Sequence, residues 1–174
     1  MAITKNDDQV KINSGNNFKV KHNGAWISFG NTVEGTLEKT ASKKEIMYSS
    51  GYAFDKASKR KGSLMIVLAQ NSKEIIDMVD QILSGSKALY LYNGLDDSKH
   101  QEIYIPAARC IENLKLEMKG DSHQVIALEF AISPQSGNAS VIPNTDMPSD
   151  RYASSGSVQT GYNPFFVILE TTAA

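Results

Sequence analysis

Two stretches near the middle of the chain alternate apolar and polar residues in the same rhythm. Leu114, Leu116 and Met118 share one parity, and Ile126, Leu128, Phe130 and Ile132 share one parity beyond the Lys-Gly-Asp-Ser turn at 119–122. Alternate residues of a strand lie on the same face. Each stretch therefore presents one apolar face, and the polar turn joins them as an antiparallel hairpin. The period of two recurs along the chain. Short alternating runs occupy 33–40 and 45–48, and a continuous apolar run of strand length occupies 64–69. Residues 88–92 end at Asn93-Gly94, a strong turn pair, and a short run at 103–105 follows.

One segment, 72–84, has the other periodicity. Asn71 stands three residues before Glu74 in a capping-box arrangement. Ile75, Ile76, Val79, Ile82 and Leu83 then share one helical face, and Ser84-Gly85 supplies the stop. An amphipathic helix of about three turns has to lay that face on a sheet. The expected fold class is mainly β (α+β), a β-sandwich or barrel with one flanking α-helix and a long β-hairpin loop.

A chain of 174 residues is long enough to bury about 70% of its unfolded surface as one domain. Its 18 Lys+Arg against 19 Asp+Glu argue against a whole-protein grip on nucleic acid or anionic membrane. Cys110, the one cysteine, excludes an internal disulfide and fits a reducing compartment. Residues 1–8 lack the apolar run of a signal peptide, and no stretch approaches 18 apolar residues. These features lead us to expect a soluble, intracellularly made protein without membrane binding.

The ends differ from the middle. Residues 133–161 hold seven Ser, three Pro, three Gly and three charged residues, too little apolar surface for a core. Yet the apolar run Phe165-Phe166-Val167-Ile168-Leu169 follows, and such a strand needs a pairing partner. The chain thus divides into an N-terminal arm (1–25), a β domain (26–132) and a Ser/Pro/Gly-rich C-terminal arm ending in a strand (133–174). Either the arms reach onto neighbouring subunits, or they fold back on their own domain.

The search for chemistry yields no catalytic, cofactor-binding or metal-binding residues. Gly30 and Gly35 have the glycine spacing of a phosphate loop, but the Lys and the helix that complete such a site are missing. Asp121-Ser122-His123 places triad residue types side by side, whereas a working relay converges from separate elements. Asp96, Asp97, His100 and Glu102 lack calcium-loop spacing and read as a solvated loop. His22 reads as solvated, and Cys110 as small apolar filling.

The segment 39–61 carries Lys39, Lys43, Lys44, Lys56, Lys59, Arg60 and Lys61 against Glu45 and Asp55. It reads as a solvated hairpin tip whose charges discourage edge pairing, or as a basic loop meeting an acidic patch on another copy. A nucleic-acid surface would interleave more aromatics than Tyr48, Tyr52 and Phe54.

The order of these elements resembles the major tail (tube) proteins of long-tailed, non-contractile bacteriophages. The similarity covers about 32–132: a Lys-rich hairpin loop (38–61), the strand 64–69, the helix, the aromatic strand Leu89-Tyr90-Leu91-Tyr92, and the closing hairpin of 110–118 and 124–130. The resemblance implies six copies in a ring, and rings stacked into a tube through which DNA leaves the capsid. It implies a virion (tail) location after synthesis and assembly in the host bacterial cytoplasm. The implied partners are other copies of the chain, the tape-measure, tail terminator and baseplate or tip proteins, and DNA in transient, non-specific passage. Carried over residue by residue, it places Lys43, Lys44, Lys56, Lys59, Arg60 and Lys61, together with Phe165, Phe166, Val167 and Ile168, at subunit contacts. It places Glu112, Lys115, Glu117 and Glu129 on a lumen face. Another tail component, such as a terminator or connector, or a monomeric β-sandwich binding module using Tyr48, Tyr52, Tyr90, Tyr92 and Tyr104, are the competing readings; an enzyme is not expected.

Overall fold

Backbone pairing joins the alternating runs into one antiparallel sheet that closes on itself. The computed structural model describes residues 2–5, 9–12, 17–47, 53–68, 77, 79, 84–94, 99–111, 115–117, 125–134, 141–142, 147–149, 158–159 and 165–172. In chain order the strands are β1 (Ala2–Lys5), β2 (Gln9–Ile12), β3 (Asn17–His22), β4 (Ala25–Met47), β5 (Ala53–Leu68) and β6 (Ser86–Gly94). They continue as β7 (Lys99–Cys110), β8 (Lys115–Glu117), β9 (Val125–Ile132), β10 (Val141–Ile142), β11 (Val158–Gln159) and β12 (Val167–Thr172). β7 pairs with β6, β6 with β3, β3 with β4, β4 with β5, β5 with β9, and β9 returns to β7. These six strands form a closed barrel, which gives each of them a neighbour on both sides.

The inward parity of every barrel strand is apolar. Phe18 and Val20, Phe29, Leu64, Ile66 and Leu68, Leu89 and Leu91, Ile103 and Ile105, and Ile126, Leu128 and Phe130 are all buried in one cluster. Phe18 lies 5.8 Å from Phe29 and 5.9 Å from Phe130 between ring centroids. The second contact crosses the interior, because β3 and β9 are not neighbours in the sheet. Val79 belongs to the same cluster. Val79 and exposed Asp77 are helical, and the remainder of the expected helix lies outside the described residues.

β7 changes partner midway. Its first half, Lys99 to Tyr104, pairs with β12, and Ala108, Arg109 and Cys110 pair with β9 on the same edge. Pro106 sits at the switch, where the register against β6 also shifts between Lys87 and Leu89. A proline has no N–H to give a ladder, so a bulge is where a strand tolerates it. The expected run at 103–105 falls within β7, residues 115–117 of the expected strand 110–118 form the short edge strand β8, and the described residues of the runs at 33–40 and 45–48 belong to one strand, β4.

The ends of the chain are part of this sheet. Residues 17–25, expected within an arm, supply β3 and the start of β4, with Phe18 and Val20 fully buried. Asn23 and Gly24 both have positive φ (50° and 83°) between the paired residues His22 and Ala25. This is the two-residue hairpin geometry that an Asn-Gly pair favours. Asn93-Gly94 instead lies within β6, paired with Gln101 and His100. The apolar C-terminal run finds its partner in its own chain: β12 pairs with β7, and β1 adds to β12. Within the Ser/Pro/Gly-rich segment, β10 and β11 pair with each other.

Candidate assembly interface

β4 and β5 are 23 and 16 residues long, and their pairing outruns the barrel. β9 accompanies β5 as far as Gly62, and β2 accompanies β4 as far as Glu38. Beyond those points 40–47 and 53–61 pair only with each other among the described residues. At about 3.3 Å per residue this ribbon projects about 26 Å. An isolated two-stranded ribbon is marginal in water, so its length calls for a surface to lie on.

Register sharpens the electrostatics of the ribbon. Lys44 is directly opposite Lys56, and the next pair is Glu45 with Asp55. Like charges in opposed positions destabilise a strand pair. Lys61 pairs with Thr40, Arg60 with Ala41, Lys59 with Ser42 and Lys43 with Ala57, so none of these cations faces a carboxylate across the ladder. Arg60 and Lys61 are exposed.

The outer face of β4, β5 and β9 has the opposite character. Thr36 pairs with Met65 and Met65 with Glu129; Glu38 pairs with Ser63; Glu34 pairs with Val67. Thr36, Glu38, Ser63, Met65 and Glu129 line an open depression on this face. Met65 is 47% exposed and Ile111, whose N–H donates to the Glu129 carbonyl at 2.9 Å, is 53% exposed. These are the large apolar side chains left in water among the described residues, and three carboxylates lie around them.

A second outward face is covered. Trp26 lies 6.2 Å from both the Tyr90 and Tyr104 rings, edge-on, with Lys21 Nζ 5.8 Å from the indole centroid. Met147 packs in the same cluster, as do Val167 and Leu169 from the neighbouring strand β12. Tyr90 donates to Glu102 Oε1 at 2.6 Å in a buried site. Glu102 is 1% exposed, which replaces the expected solvated loop with a buried strand position. Tyr90 and Tyr104, expected as sheet residues or a binding surface, are likewise buried. His22 is half-buried, its Nδ1 accepting from Lys87 Nζ at 3.3 Å, rather than solvated. Cys110 packs half-buried against the core.

The expected contact residues separate into two groups. Lys43, Lys44, Lys56, Lys59, Arg60 and Lys61 all fall on the protruding ribbon. Phe165, Phe166, Val167 and Ile168 are buried inside this chain, at 2% exposure or less, so their apolar surface is satisfied without a neighbour. Register puts Lys115 and Glu117 on the same sheet face as half-buried Glu129, while Glu112 lies outside the described residues. Asp96, Asp97, Tyr48, Tyr52 and the 121–123 trio also lie outside them. Sequence reasoning missed Glu34, Glu38 and Met65, although their shared parity opposite Leu37, Leu64 and Ile66 is the signal that marks an outer face.

These features define a class: a mainly β protein built as a closed antiparallel barrel with a protruding basic ribbon and an acidic outer sheet face. No protein-family model matches the chain, and no curated protein matches it. Similar solved structures include a chain of the tail of an empty GTA particle with C6 symmetry, at 10% identity and a TM-score of 0.43, covering 66% of this chain and 88% of that one. A chain of the virion of a native gene transfer agent particle has 10% identity and a TM-score of 0.45 over 66% and 88%. A chain of the anti-feeding prophage baseplate, 6-fold symmetrised, has 13% identity and a TM-score of 0.47 over 68% and 89%.

Proposed function

We propose that this chain is a structural virion protein that self-assembles into stacked hexameric rings, forming a phage tail tube through which DNA is delivered. The observation that carries the reading is the ribbon of 40–47 and 53–61, which extends past every other strand that pairs with it among the described residues. Such a ribbon is marginal alone, and the register sets none of its cations directly opposite a carboxylate. A neighbouring subunit supplies both a surface and opposite charge. The order of elements, similar to that of tail tube proteins, supports the ring-and-tube form of the assembly. In this role the chain has no catalytic step and needs no cofactor. It meets tape-measure, terminator and baseplate proteins at the ends of the tube, and resides in the virion tail after synthesis in the bacterial cytoplasm.

Sedimentation velocity across a concentration series, followed by negative-stain imaging, tests this. Long hollow tubes are the expected product. Single closed rings that do not stack would favour a terminator or connector role, and a chain that stays monomeric at high concentration would overturn the proposal.

A further inference from the structure

We infer that the acidic outer face of β4, β5 and β9 is the docking surface for the basic ribbon of a second copy of this chain. The inference rests on the self-assembly reading and adds the receiving site, which that reading leaves open. Three observations converge on it. The ribbon concentrates Lys43, Lys44, Lys56, Lys59, Arg60 and Lys61 on two strands with no third strand beside them among the described residues. The face sets Glu34, Glu38 and Glu129 around Met65, which is 47% exposed, with Ile111, 53% exposed, on the far side of Glu129. Exposed apolar side chains ringed by charge are the usual make-up of a contact surface.

The ribbon cannot reach the face of its own chain. Glu34, Glu38 and Met65 lie at the base of the same hairpin, and the ladder runs from there to Met47 with one irregularity, between Ser42 and Lys43. A ribbon continuous with the sheet leads away from it, so the occupant is another copy. Ribbon and face are different surfaces of one chain, which makes the contact heterologous. Heterologous contacts propagate, closing into rings or continuing as filaments. Lys11 in β2, opposite Thr36, Lys115 in β8, opposite Ala127, and exposed Arg109 in β7, opposite Ala131, bound the acidic strip and limit where a basic ribbon can settle. A footprint of about 26 Å by about 10 Å is well below the ~800 Å² per partner of a stable pair. The contact therefore holds through repetition around an assembly. Glu129 beneath a ribbon is not available to line a lumen.

Charge exchange on the full chain tests the inference. Lys43→Glu, Lys44→Glu and Lys56→Glu together turn the ribbon from net +4 to −2, and Glu34→Lys with Glu38→Lys reverses the face. Each of these variants should associate at least about tenfold more weakly than the wild type. The chain carrying all five substitutions should recover association, and the wild-type contact should weaken in about 0.5 M salt. Thermal melts matching the wild type establish that the variants fold; Glu34→Gln with Glu38→Gln serves if the reversal does not, and should also weaken association. Reversed-face chains that polymerise like the wild type, or a fivefold variant that recovers nothing, would overturn the docking surface while leaving self-assembly intact. A wild type that never associates would overturn both.

Discussion

The Phe165 ring lies against the backbone of Gly62, so close that a β-carbon at Gly62 would meet Phe165 Cδ1 at 2.9 Å and Ile132 Cβ at 3.1 Å. This is the point where β9 leaves β5 and the ribbon begins. The side chain that seats the C-terminal segment and the residue that starts the projection thus share one contact.

Gly62→Ala should destabilise the fold by about 1–3 kcal/mol, the usual range for overfilling a packed site. Denaturant titration measures it. In a Phe165→Leu background the same substitution should cost distinctly less, since the two residues are in contact and their effects are coupled. Equal penalties in both backgrounds would place the strain elsewhere.

Tyr90→Phe removes the hydroxyl that donates to buried Glu102. Losing one partner of a buried hydrogen bond costs about 1–3 kcal/mol. Glu102→Gln keeps an acceptor for that hydroxyl and should cost less. The comparison of the two unfolding midpoints decides whether the bond stabilises the outer cluster.

Trp26 is the single tryptophan, so its emission reports on one site. Met147→Ala opens the cover over Trp26, Tyr90 and Tyr104. It should red-shift the emission and lower stability by about 2 kcal/mol or more. An unchanged spectrum would mean that Met147 does not shield the indole.

Phe130→Ala should lose about 3–5 kcal/mol, because Phe130 is 1% exposed and stacks edge-on to Phe18 across the barrel. Met65→Ala, on the exposed face, should change folding by no more than about 0.5 kcal/mol. It should nevertheless weaken association in the sedimentation assay. Opposite outcomes for the two residues separate the core from the contact surface.

The sequence made the barrel's inward faces readable wherever alternation was long. Leu64 to Leu68 and Ile126 to Ile132 needed no tertiary information, and both are core strands. Partner choice was another matter. Phe165 to Ile168 had to pair with something, but whether β7 or another subunit supplied the edge depends on the 56 residues between Cys110 and Val167, which no local pattern encodes. Asn23-Gly24 and Asn93-Gly94 are the same dipeptide; the first makes the tight turn and the second lies in paired strand. Glu102 looked like solvent-facing loop because its role depends on Tyr90, a residue on another strand. The acidic face was hidden for a similar reason: Glu34, Glu38 and Glu129 become neighbours only when β4, β5 and β9 align.

Among the described residues the switch at Pro106 leaves the barrel closed by Ala108, Arg109 and Cys110 against Ile132, Ala131 and Phe130, with the Ile111–Glu129 and Ser133–Ala107 hydrogen bonds at either end. The β4–β5 boundary, by contrast, is paired along all of β5 and along β4 from Thr32 to Met47. Breathing motions of such a cylinder begin at its short seam. Amides of 108–110 and 130–132 should exchange with solvent through partial openings, while those of 34–38 and 63–67 wait for global unfolding. The last described strand to be synthesised, β12, grips the other half of β7 just beyond that seam. A growing chain therefore completes its wall well before it gains the strand that steadies its weakest joint.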